Sequence, residues 1–371
     1  MPSIPLTFNE VTPQWLSEVL DANVTSFESE KIGEGVGLMG DIYRVELNYA
    51  SNESEMPPSV VVKLPSSFEE NRQQGIALGM FEAEVKFYDE LGEATGTGLP
   101  DIHFASINSG TAEFVIVMED LCNLTMVDQA AGMSQRQALA AVRVLAKIHA
   151  AWWEKVQVDE LEWIPSMVGP RIEYVDQVLP EVYPVYAATF EANLPEGGAE
   201  LLQVFSRSYL KLNSALAKRA PWTLAHQDYR VENMLFGNAE NDEVTVIDWQ
   251  GIGRGPGAYD LAYLLGGSME TEMRRSNERD LVTAYHTELC DSGVEGYDFE
   301  SAWSDYGFAH LIGGLATSVF TGGTLDLNNE RGKELITMMS ERHVTAALDH
   351  GGLDQIPVSY THLTLPTIYS V

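Results

Sequence analysis

The sequence predicts an α+β protein of two lobes, a small β-rich one followed by a larger, mostly helical one. Three observations carry that expectation. Short apolar runs of strand character, SVVVKL at 59–64 and EFVIVM at 113–118, fall before residue 120. After it, apolar residues recur at spacings of three and four over long stretches. The length of 371 residues is enough for two or three lobes with a sizeable core.

Taken in order, Thr12 and Pro13 open a first helix, with Trp15, Leu16, Val19 and Leu20 on its apolar face. The segment KIGEGVGLMGDIYRVELNY reads as a glycine-rich turn running into a strand, with Tyr43, Val45 and Leu47 on one side. Residues 50–58 are a polar loop, and 59–64 a buried-type strand interrupted by Lys63. Residues 75–91 predict one helix, with Ile76, Met80, Phe81, Val85, Tyr88 and Leu91 in register. The strand at 113–118 ends at Glu119 and Asp120. Ser134 and Gln137 form a capping box that opens a long helix through Leu139, Val142, Leu145, His149 and Trp152.

Residues 151–220 are helical in pattern, with several proline breaks. A short strand at 222–225, a hairpin over 234–247 and further helices to about residue 349 follow. Within these, 306–325 carries no Asp, Glu, Lys or Arg and predicts one buried helix, its glycines and hydroxyls being weak lipid-facing material. The last fifteen residues, PVSYTHLTLPTIYSV, also lack charge and resemble a translated sequencing-library adapter. The expected organisation is therefore a first lobe over 1–119, a second over 120–356, and a non-native tail over 357–371.

Twenty-two Lys and Arg against 55 Asp and Glu give a net charge of −33. A phosphate backbone or an anionic lipid surface needs a basic footprint, so neither nucleic acid nor membrane is an expected partner. Cys122 and Cys290 cannot build a disulfide framework, and the first residues show no signal-peptide pattern; a cytoplasmic location is expected. Zinc-ligand spacing is absent as well.

The chemistry-bearing residues fall in three groups. Gly33, Gly35, Gly37 and Gly40 precede a strand, which suits a flap whose amides approach phosphates, or else a flexible hairpin tip. Lys63 interrupts an apolar strand, and Glu84 sits among Met80, Phe81, Phe87 and Tyr88 on the next helix. Each charge needs a counter-charge, so the two read as an ion pair that positions the lysine for an anion, unless they reach solvent. Third is LAHQDYRVENMLFGNAENDEVTVIDWQ, residues 224–250. Antiparallel pairing across its turn brings Asn233 and Asp248 to one end of a hairpin. Their oxygens suit Mg²⁺, while Asp228 projects from the adjoining loop to accept a hydroxyl proton.

His226-x-Asp228-x-x-x-x-Asn233 followed by Ile247-Asp248-Trp249 resembles the catalytic and metal-binding segments of protein-kinase-like phosphotransferases. Among these the chain resembles the small-molecule kinases: aminoglycoside phosphotransferases, choline kinases and, above all, the ecdysteroid-kinase-like (CHK kinase-like) group. Their further motifs stand in order: the glycine loop, Val61-Val62-Lys63-Leu64, Phe81 to Tyr88 around Glu84, and Val117-Met118-Glu119-Asp120-Leu121. After these come Leu145 to His149 and Gly257-Ala258-Tyr259-Asp260-Leu261-Ala262-Tyr263.

The resemblance implies a bilobal protein-kinase-like fold, with ATP and Mg²⁺ as cofactors and a small-molecule hydroxyl as acceptor of the γ-phosphoryl group. It implies that Asp228 is the catalytic aspartate, and that Asn233 and Asp248 hold Mg²⁺. Lys63, paired with Glu84, would meet the α- and β-phosphates, and Gly33, Gly35 and Gly37 would cover them. The backbone at Met118, Glu119 and Leu121 would meet adenine. Arg230 would stabilise charge on the transferred group, or serve as a structural arginine.

Two departures stand out: Gln227 where these families usually have Gly or Arg, and Trp249-Gln250 after the metal-binding aspartate. His226 and Asp260 are expected to hold the catalytic loop, and His149, Trp152, Trp153 and Trp163 to pack. A nucleotide-binding chain without transfer and a kinase acting on protein are the alternatives; no activation-loop phosphosite is present to favour the second. The charge divides evenly, −16 over residues 1–120 and −17 over the rest, so it does not identify the acceptor.

Overall fold

A computed structural model describes residues 2–33, 40–50, 56–238 and 241–356. Helix α1 (Pro13–Leu20) starts as its sequence predicts: the Thr12 hydroxyl caps the Trp15 amide, and Trp15, Leu16 and Leu20 are buried. An antiparallel sheet follows in the order β1-β2-β3-β5-β4. Its strands are β1 (Val24–Ile32), β2 (Gly40–Tyr49), β3 (Ser59–Pro65), β4 (Ile102–Ile107) and β5 (Phe114–Glu119). The edge strands β1 and β4 were not expected from the sequence. β1 is largely exposed and polar and β4 is half-buried throughout, so neither carries the apolar run that marks a strand.

β5 divides its side chains between two cores. Val115 and Val117 join Val60, Val62, Leu64 and α1 on one face of the sheet. Phe114, Ile116 and Met118 point the other way, into the core that continues through the helical part. An apolar run with period two thus ties the sheet to the second half of the chain.

Between β3 and β4 lie α2 (Glu69–Ala77), α3 (Met80–Lys86), a π-helical turn (Phe87–Leu91) and α4 (Gly92–Thr95). The single helix expected over 75–91 is interrupted at Gly79, whose φ of 66° is left-handed and favours glycine. α3 carries Glu84 towards β3.

β6 (Thr125–Met126) leads to α5 (Gln135–Trp152), where the Ser134–Gln137 capping box forms in both directions. Then come α6 (Pro170–Phe190), α7 (Gly198–Phe205) and α8 (Tyr209–Arg219). The proline breaks expected there do not all occur: α6 runs through Pro180 and Pro184. Its buried stripe is Ile172, Leu179, Tyr186 and Phe190, and the prolines lie off it. Packing of that stripe outweighs the roughly 3 kcal/mol a helix-interior proline costs.

β7 (Trp222–Ala225) pairs with β10 (Gly253–Pro256), and β8 (Met234–Phe236) with both β6 and β9 (Val244–Val246). The chain closes with α9 (Ala258–Ser268), α10 (Thr271–Asp291), α11 (Phe299–Ala309), α12 (Gly313–Thr324), α13 (Glu330–Asp349) and α14 (Gly352–Gln355). Residues 306–325 form parts of two helices, not one. A Cβ at Gly313 or Gly314 would stand 2.4 Å from the Tyr259 ring or 2.1 Å from the His343 ring, so the chain breaks and restarts to bring backbone against both. Among the described residues no helix is long and apolar enough to cross a membrane. Gly35, Gly37 and the tail at 357–371 lie outside the described residues.

Candidate active site

Lys63 occupies the middle of the central strand, opposite Ile42 of β2 and Ile116 of β5. Its Nζ donates to both Glu84 oxygens, at 2.8 and 2.7 Å, and lies 3.4 Å from Asp248 Oδ1. Burial opposes its charge, but Glu84 and Asp248 together overcome that and push its pKa up to about 12. Burial pushes the Glu84 carboxyl up, against the pull of Lys63 and with repulsion from Asp248. Gly40 pairs with Pro65 beside this lysine; a Cβ there would stand 2.7 Å from the Leu64 carbonyl oxygen.

Asp248 follows β9 in a left-handed conformation, φ 67° and ψ 57°. Its Oδ2 accepts from Gln250 Nε2 at 2.9 Å. β8 and β9 pair as the turn predicts, and the Ile247 amide donates to the Asn233 carbonyl at 3.0 Å. Asn233 and Asp248 therefore meet at one end of the hairpin. Asn233 Nδ2 donates to the Asp228 carbonyl (2.9 Å) and to its Oδ2 (2.8 Å), which leaves the Asn233 side-chain oxygen for a cation. The donor set of one carboxylate and one amide oxygen fits Mg²⁺.

The Asp228 carboxylate is held on several sides. Tyr263 Oη donates to Oδ1 at 3.1 Å, and Arg230 Nε lies 3.2 and 3.3 Å from its two oxygens. Arg230 also bonds Glu232. Burial opposes the Arg230 charge, yet Asp228 and then Tyr263 and Glu232 hold its pKa above the ordinary value.

Underneath, Asp260 on α9 is fully buried and accepts the His226 amide (2.6 Å) and the Gln227 amide (2.9 Å). The His226 ring accepts the Asp228 amide at Nδ1 (3.2 Å) and donates from Nε2 to the Ile247 carbonyl (3.0 Å), linking the loop to the strand before Asp248. His149 sits behind Asp260 at 3.3 Å, with Tyr285 on its other nitrogen. His226 and Asp260 thus hold the loop, and His149 packs behind Asp260. Trp249 stacks on Phe87 at 3.8 Å, which fastens the segment after Asp248 to the end of α3. Just after β5, Asp120 accepts from Ser59 of β3 (2.7 Å) and Arg44 of β2 (3.0 Å), which holds the segment that follows Met118 and Glu119 against those strands.

The model of the ecdysteroid kinase-like family matches residues 34–293. The chain belongs to that family. The fold agrees: choline kinase from Cryptosporidium parvum Iowa II superposes with a TM-score of 0.56 at 10% identity, over 89% of this chain and 90% of that one. A variant of aminoglycoside 2′-phosphotransferase-IIIa, solved with GDP, does so with 0.53 at 15% identity, over 92% of this chain and 100% of that one. The bilobal kinase-like architecture expected from the motifs is therefore the observed one. Two curated relatives from Caenorhabditis elegans also match. One is described as an uncharacterized oxidoreductase, 22% identical over 79% of this chain and 39% of its own length. The other is an uncharacterized kinase-like protein, 24% identical over 60% of each. The chain thus spans less than two thirds of either relative.

For this ecdysteroid kinase-like chain the structure joins Lys63 to Glu84 and Asp248, and Asp228 to Arg230 and Asn233, and the Ile247–Asn233 backbone bond sets the two groups side by side. It adds residues that sequence reasoning missed. Tyr263 stands in the Asp260 motif, three residues on and so on the same helical face, which was a usable signal. Thr317 on α12, 3.3 Å from Tyr263 Oη, gave none. Gln227 has a φ of 66°, and Arg171 of α6 bonds its side chain and the Gly251 carbonyl (3.2 Å). Burial lowers the Arg171 pKa. The unusual Gln227 thus serves as an anchor for α6, a partner 56 residues away that no local pattern reveals.

Proposed function

We propose that this protein transfers the γ-phosphoryl group of ATP to a hydroxyl of a small molecule. The observation that supports it most is the 3.4 Å approach of Lys63 to Asp248 with the Lys63–Glu84 pair intact, the phosphate-binding and metal-binding groups being already assembled. Lys63 would contact the α- and β-phosphates, with the amides of the glycine turn above them. A base at the end of β5 would meet Glu119 through its carbonyl, because the Glu119 amide is bonded to Asp101 at 2.8 Å. A Mg²⁺ held by Asn233 and Asp248 supplies charge neutralisation on the phosphates when bound. Asp228 orients the acceptor hydroxyl and takes its proton, and Arg230 and Asn233 keep its carboxylate aimed.

Tyr263 is a positioning residue in this reading. Burial first, and then Asp228, push its phenol pKa up, so it stays a donor. Tyr263→Phe is expected to lower kcat about 10- to 100-fold, the worth of a hydrogen bond to a charged group. The KM for ATP should not move. A raised KM for ATP with kcat unchanged would contradict the assignment.

Asp248→Ala is expected to weaken Mg²⁺-dependent ATP binding while leaving binding of metal-free nucleotide little changed. Calorimetry with and without Mg²⁺ checks this, and equal loss under both conditions would count against the metal role. The reaction itself is tested by a panel of hydroxyl compounds with ADP release as readout. Acceptor-dependent ADP release supports transfer; failure to bind ATP at all would overturn it.

A further inference from the structure

Away from the cleft, three helices of the second half of the chain converge on one cluster. Glu278 lies on α10, His310 follows the last residue of α11, and His350 follows the last residue of α13. One ligating atom from each lies within 4.8 Å of the other two, and this is the one such group of His, Cys, Asp or Glu among the described residues. His350 Nε2 stands 3.4 Å from Glu278 Oε2. That is close to the ~3.3 Å ligand–ligand edge of a tetrahedron built on metal bonds of about 2.0–2.1 Å.

The second, independent observation is His310. It is only 2% exposed, yet neither ring nitrogen has a hydrogen-bond partner. A buried polar group left so is costly, and a metal ion would take up one of these nitrogens. The surroundings match those of a ligated carboxylate. Glu278 Oε2 accepts from Tyr306 Oη (2.9 Å) and Arg274 (2.6 Å), contacts of the kind that orient metal ligands from outside. Arg274 is a cation beside the cluster, but it is also paired with Asp349. Glu272, Glu278 and Asp349 outnumber Arg274 and Arg275 in the connected network. The Glu278 and His350 side chains keep about a tenth of their surface exposed, which gives an ion a way in.

We propose that Glu278, His310 and His350 bind one divalent transition-metal ion of the zinc class, pinning the ends of α11 and α13 to α10. Two imidazoles and a carboxylate select such an ion over Mg²⁺ or Ca²⁺, which prefer all-oxygen sites. The ion lies outside the proposed transfer site and is independent of that reading.

The test is titration of the chelator-stripped protein with Zn²⁺ by calorimetry, with excess Mg²⁺ present to fill the oxygen site. One equivalent should bind. His310→Ala and His350→Ala should each weaken it by at least the ~10- to 100-fold that even an outer-shell loss costs. His286→Ala, which removes a half-buried histidine bonded to the Tyr297 carbonyl, should leave it unchanged. Co²⁺ in place of Zn²⁺ on the unaltered protein should show the intense visible bands of low coordination, and Co²⁺ in folded His350→Ala should not. Zn²⁺ binding that survives in folded His350→Ala, binding lost in His286→Ala, or no binding would each overturn the proposal. Should His310→Ala fail to fold, His350→Ala at the exposed edge and the cobalt spectrum decide.

Discussion

Asp228→Asn is expected to cut phosphoryl transfer by about 10²- to 10⁴-fold, the usual contribution of a positioned acid–base group, with ATP affinity unchanged. The substitution is nearly isosteric. Asn233 can still donate to the remaining side-chain oxygen, and Asp260 still holds the loop through the backbone amides of His226 and Gln227. What is lost is the negative charge that draws the proton from the acceptor hydroxyl and balances Arg230. Lys63, Asn233 and Asp248 are untouched, so nucleotide binding should persist. Equilibrium binding of ATP beside single-turnover transfer separates the two steps. Undiminished transfer in this variant would remove Asp228 from the mechanism.

Lys63→Met is expected to be the most damaging single change to stability. Glu84 is 1% exposed and its two oxygens would lose their counter-charge. Breaking a buried pair from one side costs about 3–5 kcal/mol, seen as a drop of several degrees in Tm. The double variant Lys63→Met with Glu84→Leu should recover most of that loss, because well-packed apolar replacements are near neutral. It should not recover ATP binding. Recovery of both would show that Lys63 serves the fold alone.

The pH dependence follows from the same pair. Lys63 is raised from 10.5 to about 12 on folding, so the stability its charge contributes is complete below 10.5. It is lost only as pH climbs through 12. Thermal melts across the neutral range should therefore show no titration step from this lysine.

Much of the site was legible because its residues conflict with their neighbours. Lys63 in an apolar strand and Glu84 on an apolar helix face announced a pair, and the structure joins them. The hairpin after Asp228 was equally clear, since its turn fixes the register that sets Asn233 beside Ile247 and Asp248. The helical cap at Ser134 and the strands at 59–65 and 114–119 were visible for the same reason: local chemistry and local periodicity agree there. β1 was hidden because exposed polar residues leave no periodic signal, and β4 because it is half-buried along its whole length and so shows no alternation. Pro180 and Pro184 suggested breaks that packing of α6 overrode.

The sequence by itself determined the family, the order of the two halves and the identity of the charged groups in the cleft, since each is encoded within a short segment. Tertiary structure alone decided how those segments meet. Lys63 reaches Asp248 across 185 residues, Arg171 grips Gln227 across 56, and Tyr263 of α9 reaches Asp228 while Thr317 of α12 meets the Tyr263 hydroxyl. His310 became noticeable only when its burial and lack of partners could be seen together. Contacts of this kind depend on side chains from distant segments arriving at one point, and the spacing within any one segment carries no record of that arrival.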